Sequence, residues 1–287
     1  MSKYVIITDS SADIASDILS DGDLKIVQLD VLVEGEAPKP NCDVDAKDFY
    51  SKLRSKKTAT TSAVSIDAFA AVMEEYLAQG LDVLYLGFSS GLSGTYNAGF
   101  VAAKELSEKY PERKILTVDT LAASLGEGLL VYYAVKMKNE GSDIESVCKF
   151  IEDNKLKLCH WFTVDDLFFL KRGGRVSATT AIVGSMLSIK PVMHVDNAGK
   201  LINVAKARGR KASIDALFDR MKATAIEPEN QVVYISHGDC IEDAEYLANR
   251  IKNELKVKEI KIGYVGAVIG AHSGPGTLAL FFLGTER

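Results

Sequence analysis

Tryptophan occurs once in these 287 residues, proline six times, and cysteine and histidine four times each. The cysteines, Cys42, Cys148, Cys159 and Cys240, form no C-x-x-C pair. Neither a zinc site nor a disulfide framework is therefore expected, and the thiols should be reduced and mostly buried. With so little proline and 47% hydrophobic residues, no stretch has the composition of a disordered segment. No apolar run exceeds strand length, and MSKYVIITDSS enters a strand pattern at once, without a cleavable apolar leader. A cytoplasmic protein without an integral membrane segment is the expectation. Positive charge is not in excess either. The net charge of −5 argues against nucleic-acid binding, which needs a broad basic surface to displace counterions from phosphates. No phosphate-binding loop ending in Gly-Lys-Ser/Thr occurs, and no acidic cluster suits Mg²⁺–ATP, so no metal or cofactor site is expected.

What the chain has in quantity is alternation. Strand-like runs YVIITDS, KIVQLDVLV, DVLYLGFSS and KILTVDT are separated by segments such as SIDAFAAVMEEYLAQG and GTYNAGFVAAKELSEKY, whose apolar residues recur at helical spacing. Repeated strand, helix, strand order predicts right-handed crossovers and a mainly parallel sheet covered on both faces. Ligands in such sheets sit beyond the carboxyl ends of the strands. Two helical stretches, GEGLLVYYAVKMKNEG and DIESVCKFIEDNKLK, precede a change of pattern. From CHWFTVDDL onward a hairpin is expected around Asn197-Ala198-Gly199, and QVVYISHGD and KIGYVGAVIGAH read as strands about a further helix. The fold class is thus α/β with two domains, 1–160 and 161–287, and a cleft between them.

Several stretches carry candidate chemistry. GFSSG at 87–91 matches the G-x-S-x-G turn that presents a nucleophilic serine. Ser89, an acid such as Asp119 or Asp196, and His272 would follow the chain order of a serine esterase or thioesterase. No HGGG-like oxyanion segment accompanies them. The same loop can instead bind an anion, because small residues let backbone N–H groups and hydroxyls approach a carboxylate closely; Ser89, Ser90, Ser93, Gly94 and Thr95 suit that use. TATTSAVSIDAF at 58–69 is a second hydroxyl cluster, for which helix capping is the simpler explanation. KRGGR at 171–175 and KARGRK at 206–211 are basic, either as solvated loop charge or as a docking surface for an acidic partner. His272 lies between an apolar run, read as a strand, and a Gly-Pro-Gly turn.

Assembled in order, TDSSAD, TSAVSIDAF, SSGLSGTY, TVDTLAASLGEG, DLFFLKRGGRVS, IKPVMHVDNAGKL with KARGRK, and IGAHSGPGT span nearly the whole chain. In this order the chain resembles the DegV family, whose members bind fatty acids. One departure is that Val64 and Ile66 stand where the family often has prolines. The resemblance implies an α/β/α domain with a mainly parallel sheet and a second α/β domain with a mixed sheet, holding one long-chain fatty acid between them. It further implies a lipid-carrying subunit that presents the carboxylate to a separate ATP-binding fatty acid kinase subunit for acyl-phosphate formation, without complete catalytic machinery or a cofactor of its own. Matched motif by motif, the carboxylate contacts fall on Thr61, Ser93 and His272. Ser62, Ser89, Ser90, Gly94 and Thr95 form the supporting loops, and Arg208, with Arg172 and Arg175, lies where the kinase would dock.

Overall fold

The computed structural model describes residues 3–14, 24–177 and 189–287. Its first sheet is built from β1 (Tyr4–Asp9), β2 (Leu24–Val27), β6 (Asp82–Gly87) and β7 (Ile115–Asp119), in the order β2-β1-β6-β7 with every pair parallel. Both β1 and β6 are buried along their whole length, as continuous apolar strands in a covered parallel sheet must be. Side chains alternate between the faces. Tyr4, Ile6, Leu84 and Leu86 enter one core, and Val5, Ile7, Val83 and Tyr85 enter another.

The second of these cores is closed by α1 (Ala46–Arg54), α2 (Ile66–Leu77) and α3 (Thr95–Lys109). Ser65 does cap α2, accepting from the Ala68 N–H at 3.2 Å, so the capping explanation holds for that hydroxyl. Thr61 and Ser62 belong instead to β5 (Ala59–Ser62), which joins β3 (Asp30–Val33) and β4 (Lys39–Pro40) in a small antiparallel sheet. KIVQLDVLV is accordingly not one strand: it breaks at Gln28-Leu29 and serves two sheets.

On the other face lie α4 (Leu125–Asn139) and α5 (Ile144–Asn154). Residues 125–131 of α4 are all buried, because this helix is clamped between the two large sheets. The second large sheet follows: β8 (Leu158–Thr163), β9 (Ile189–Val195), β10 (Leu201–Arg208), β11 (Val232–His237), β12 (Glu259–Tyr264) and β13 (Leu278–Leu283). Their order is β10-β9-β8-β13-β11-β12, antiparallel except for β11 with β12. The expected hairpin joins β9 to β10, with Asp196 Oδ1 accepting from the N–H groups of Ala198 and Lys200, each at 2.9 Å. One face of this sheet meets α4; the other is covered by α7 (Arg210–Thr224) and α8 (Ile241–Leu255). The short α6 (Leu167–Arg172) follows β8.

One segment differs from the sequence expectation. AVIGAHS is not the end of a strand but α9 (Ala267–Ser273). β12 ends at Tyr264, and Ala267, Val268 and Ala271 pack into the core beneath the first sheet. β-branched residues suggested a strand, but burial against α6, β5, β3 and α1 outweighs that weak propensity. The cysteines are free, but contrary to expectation only Cys159 is buried; Cys148 and Cys240 are partly exposed and Cys42 is exposed. No helix among the described residues is long and apolar enough to cross a membrane.

Candidate functional site

A cavity of about 490 Å³ opens where the α4 layer stops, beyond the carboxyl ends of the first sheet's strands. Its walls are mainly apolar, with Leu29, Phe88, Phe162, Leu170, Val268 and Ile269 among them. The mixed sheet contributes His160, Phe162, Leu201, Ser236 and Ala279, the first sheet only the loops that follow its strands, and β5, α6 and α9 the rest of the named elements. That size lies within the range of small-molecule sites.

One end of the cavity is polar. Thr61 on β5 and His272 on the last turn of α9 meet there, Thr61 Oγ1 lying 2.8 Å from His272 Nε2. Gly173 packs against the far side of the ring; a Cβ there would come within 2.3 Å of His272 Nδ1, so only glycine permits this approach. Burial, reinforced by Arg175 and Arg172, pushes the His272 pKa down from 6.5 to about 4. The ring is therefore neutral at pH 7 and offers one N–H donor. Ser93 sits just before α3 and lines the same end, its hydroxyl 2.9 Å from Thr95 Oγ1 and accepting from the Thr95 N–H at 3.2 Å.

Arg175 completes the cluster. After α6 the Gly173-Gly174 turn brings its side chain back, so that Nε donates to Leu92 O at 3.2 Å and Nη1 donates to Gly173 O. Burial lowers its pKa, and among the described residues no carboxylate is paired with it. A cation with only carbonyl partners, beside two hydroxyls and a neutral imidazole, is arranged to receive one anionic group.

The candidate residues thus divide. Thr61, Ser93, Gly94 and His272 line the cavity, whereas Ser62, Ser89, Ser90 and Thr95 do not. Arg175, grouped by sequence with the docking residues, turns inward, while Arg172 and Arg208 are exposed. Nothing in the charge pattern of KRGGR distinguishes its first arginine from its last. Only the backbone reversal at the two glycines does so.

The esterase alternative fails on geometry. Ser89 is fully buried, and its hydroxyl donates to Gly199 O at 2.8 Å and not to His272, whose Nε2 is engaged by Thr61. Gly199 is held at φ +71, and a Cβ there would sit 2.1 Å from Ser89 Oγ. Ser89 pins the β9–β10 turn against the loop after β6. That loop is fixed from beneath by Asp9, whose Oδ2 accepts from the Phe88 N–H at 3.0 Å and the Tyr85 hydroxyl at 3.2 Å. The carboxylate of TDSSAD is thus a support for the Ser93 loop, a role its sequence does not announce.

With the geometry in hand, the comparisons with known proteins are consistent along the whole chain. Residues 3–285 match the model of the DegV family, described as uncharacterised. A DegV domain-containing protein of Clostridium perfringens is 49% identical over 289 residues, covering 100% of this chain and 99% of that one. Among solved structures, a DegV family protein from Thermus thermophilus, described by its fatty acid binding, superposes with a TM-score of 0.88 at 31% identity, covering 97% of this chain and 98% of that one. A DegV lipid-binding protein from Thermotoga maritima superposes at 0.85 with 30% identity, over 99% of each chain. The parallel sheet, the mixed sheet and the order of motifs are all those of one family, and this chain belongs to the DegV family.

Proposed function

We propose that the chain binds one long-chain fatty acid, its tail in the cavity and its carboxylate among Thr61, Ser93, His272 and Arg175. The observation that carries this reading is the inward guanidinium, without an acidic partner among the described residues, set beside the Thr61–His272 pair at one end of an otherwise apolar cavity. Fatty acid binding by the Thermus thermophilus relative supports it. At about 0.8 kcal/mol per buried CH₂, a tail of roughly fourteen methylenes brings on the order of 11 kcal/mol before the cost of association is subtracted. The tail supplies affinity; the head group supplies orientation. A desolvated carboxylate loses its water, and charged hydrogen bonds of about 1.5–3 kcal/mol each offset that loss.

In this function the protein is a carrier that offers the carboxylate to a separate ATP-binding kinase subunit, which forms the acyl phosphate in the cytoplasm. The carrier itself contributes no nucleophile: its hydroxyls and imidazole hold the carboxylate oxygens, and the kinase brings the phosphoryl donor. Arg208 and Arg172, both exposed, suit contacts to an acidic partner surface. Native mass spectrometry of delipidated protein titrated with hexadecanoic acid tests the first step. Saturation at one fatty acid per chain is expected, and absence of a bound species would overturn the reading.

A further inference from the structure

A second cavity, of about 750 Å³, lies behind one wall of the first and has Ile14, Ile26, Leu125 and Ile262 among its lining residues. Among the described residues the two cavities share no lining side chain, yet the same backbone stretches serve both. Leu29, Ser124 and Val265 line the first cavity, while their chain neighbours Gln28, Leu125 and Gly266 line the second. Ser236 on β11 faces the first, and its pairing partner Gly263 on β12 faces the second. A wall whose consecutive residues face opposite spaces is a single residue thick.

Side chains close this wall in one line. Ser124 Oγ donates to Asp13 Oδ2 at 2.6 Å and lies 3.1 Å from Ser236 Oγ, so the line runs from the second cavity, at Asp13, to the first, at the two buried serines. Ser124 is held at φ 54, ψ −149, a backbone conformation that suits glycine and that an L side chain rarely adopts. Asp13, at φ 48, is left-handed as well. Two side chains kept at glycine-like positions and bonded to each other across a thin wall point to a function for the pair, because such strain persists only where the surroundings impose it. The wall stands away from the head group. Gly266 adjoins the Asp13 carboxyl and His272 adjoins Thr61, and the six residues from one to the other along α9 rise roughly 9 Å, with Val268 and Ile269 lining the cavity between them.

We propose that Ser124 and Asp13 set the upper length of the acyl chain, by closing the first cavity against the second. This inference rests on the fatty-acid reading and adds to it the residues that select chain length. Each methylene that enters apolar surroundings raises affinity about four-fold. Affinity therefore climbs with length until the tail meets the wall, beyond which further methylenes overpack the cavity or stay in water. With the wall opened, they enter the second cavity against Leu125, Ile14 and Ile26.

The test is competitive displacement of a fluorescent fatty acid by saturated acids from dodecanoic to docosanoic, in steps of two carbons, on wild type, Ser124→Gly and Asp13→Gly. Glycine suits the backbone at both positions, so each substitution removes a side chain from the wall without straining the chain. Wild-type affinity should pass through a maximum. In each variant the maximum should move to a longer chain, and the acid two carbons beyond the wild-type optimum should bind at least about ten-fold tighter than it does to wild type, while dodecanoic acid binds alike to all three. Should one variant fail to fold, the other and the wild-type series decide the matter. An unchanged optimum in either folded variant, or wild-type affinity that still climbs at docosanoic acid, would overturn the inference while leaving fatty acid binding intact. Binding of no acid by the wild type would overturn both.

Discussion

At the scale of single residues, the decisive pair is Arg175 and His272, because one supplies charge and the other direction. Replacing Arg175 by Leu removes its inward charge from the polar end while keeping its bulk. Fatty acid affinity should fall about ten- to a hundred-fold, corresponding to the ~1.5–3 kcal/mol of a charged hydrogen bond, in a displacement assay. His272 also makes stability depend on pH. Its pKa is about 4 in the folded chain against an ordinary 6.5, so between these values the unfolded chain binds more protons. Its contribution is complete above pH ~6.5 and is lost as pH falls toward 4. Thermal melts of His272→Gln should therefore show a shallower loss of stability over that window than wild type. A carboxylate beside the ring favours its charged form, so loading with fatty acid should flatten the same slope.

Among the elements, α9 and α4 set the terms. A seven-residue helix carries His272, and Gly173 is the surface it leans on. Gly173→Ala would force a contact of 2.3 Å with the imidazole, so the ring must move. Weaker fatty acid binding with a nearly unchanged melting temperature is the expected outcome. α4 carries Glu127, fully buried, with Thr8 Oγ1 donating to it at 3.1 Å and Ser11 Oγ at 3.2 Å. Asp9, which also contacts Ser11, gathers two backbone N–H groups besides, so Glu127 is the carboxyl that keeps a proton. Burial and the neighbouring Asp9 raise the Glu127 pKa well above 4.5. Its contribution is complete below the ordinary value and is lost as pH rises through the folded one. Glu127→Gln should thus lessen the fall in melting temperature as pH rises above about 4.5.

These elements also show where the sequence spoke clearly. β1, β6 and β7 were legible because unbroken β-rich runs bounded by polar residues fit only buried parallel strands, and α2 to α5 because their apolar residues recur at helical spacing. α9 was not: AVI favours a strand locally, and its helical state is imposed by packing against the first sheet's core. Thr61, Ser93 and His272 were found through motif order, and the structure gathers them on one cavity. Arg175 was not assigned to it, and Asp9 was not read as the support beneath the Ser93 loop. Their roles depend on side-chain direction, which residue type and spacing do not encode.

For the whole molecule, the proposed function puts holding a lipid and handing it on at separate places. Arg208 closes the edge strand β10, roughly 23 Å along the strand from Leu201, which lines the cavity. Arg208→Ala should leave fatty acid displacement near wild type and sharply reduce acyl-phosphate formation with the cognate ATP-binding subunit; unchanged transfer would return it to solvated charge. Everything else rests on where the carboxylate lies. The most direct measurement is carbon NMR of a carboxyl-labelled fatty acid bound to wild type and to Thr61→Val and Arg175→Leu. A single bound resonance that ignores pH changes over the range where the free acid titrates, and that moves in both variants, is the expected result. A bound carboxyl that titrates as it does in water, or that neither substitution moves, would contradict its placement at this site.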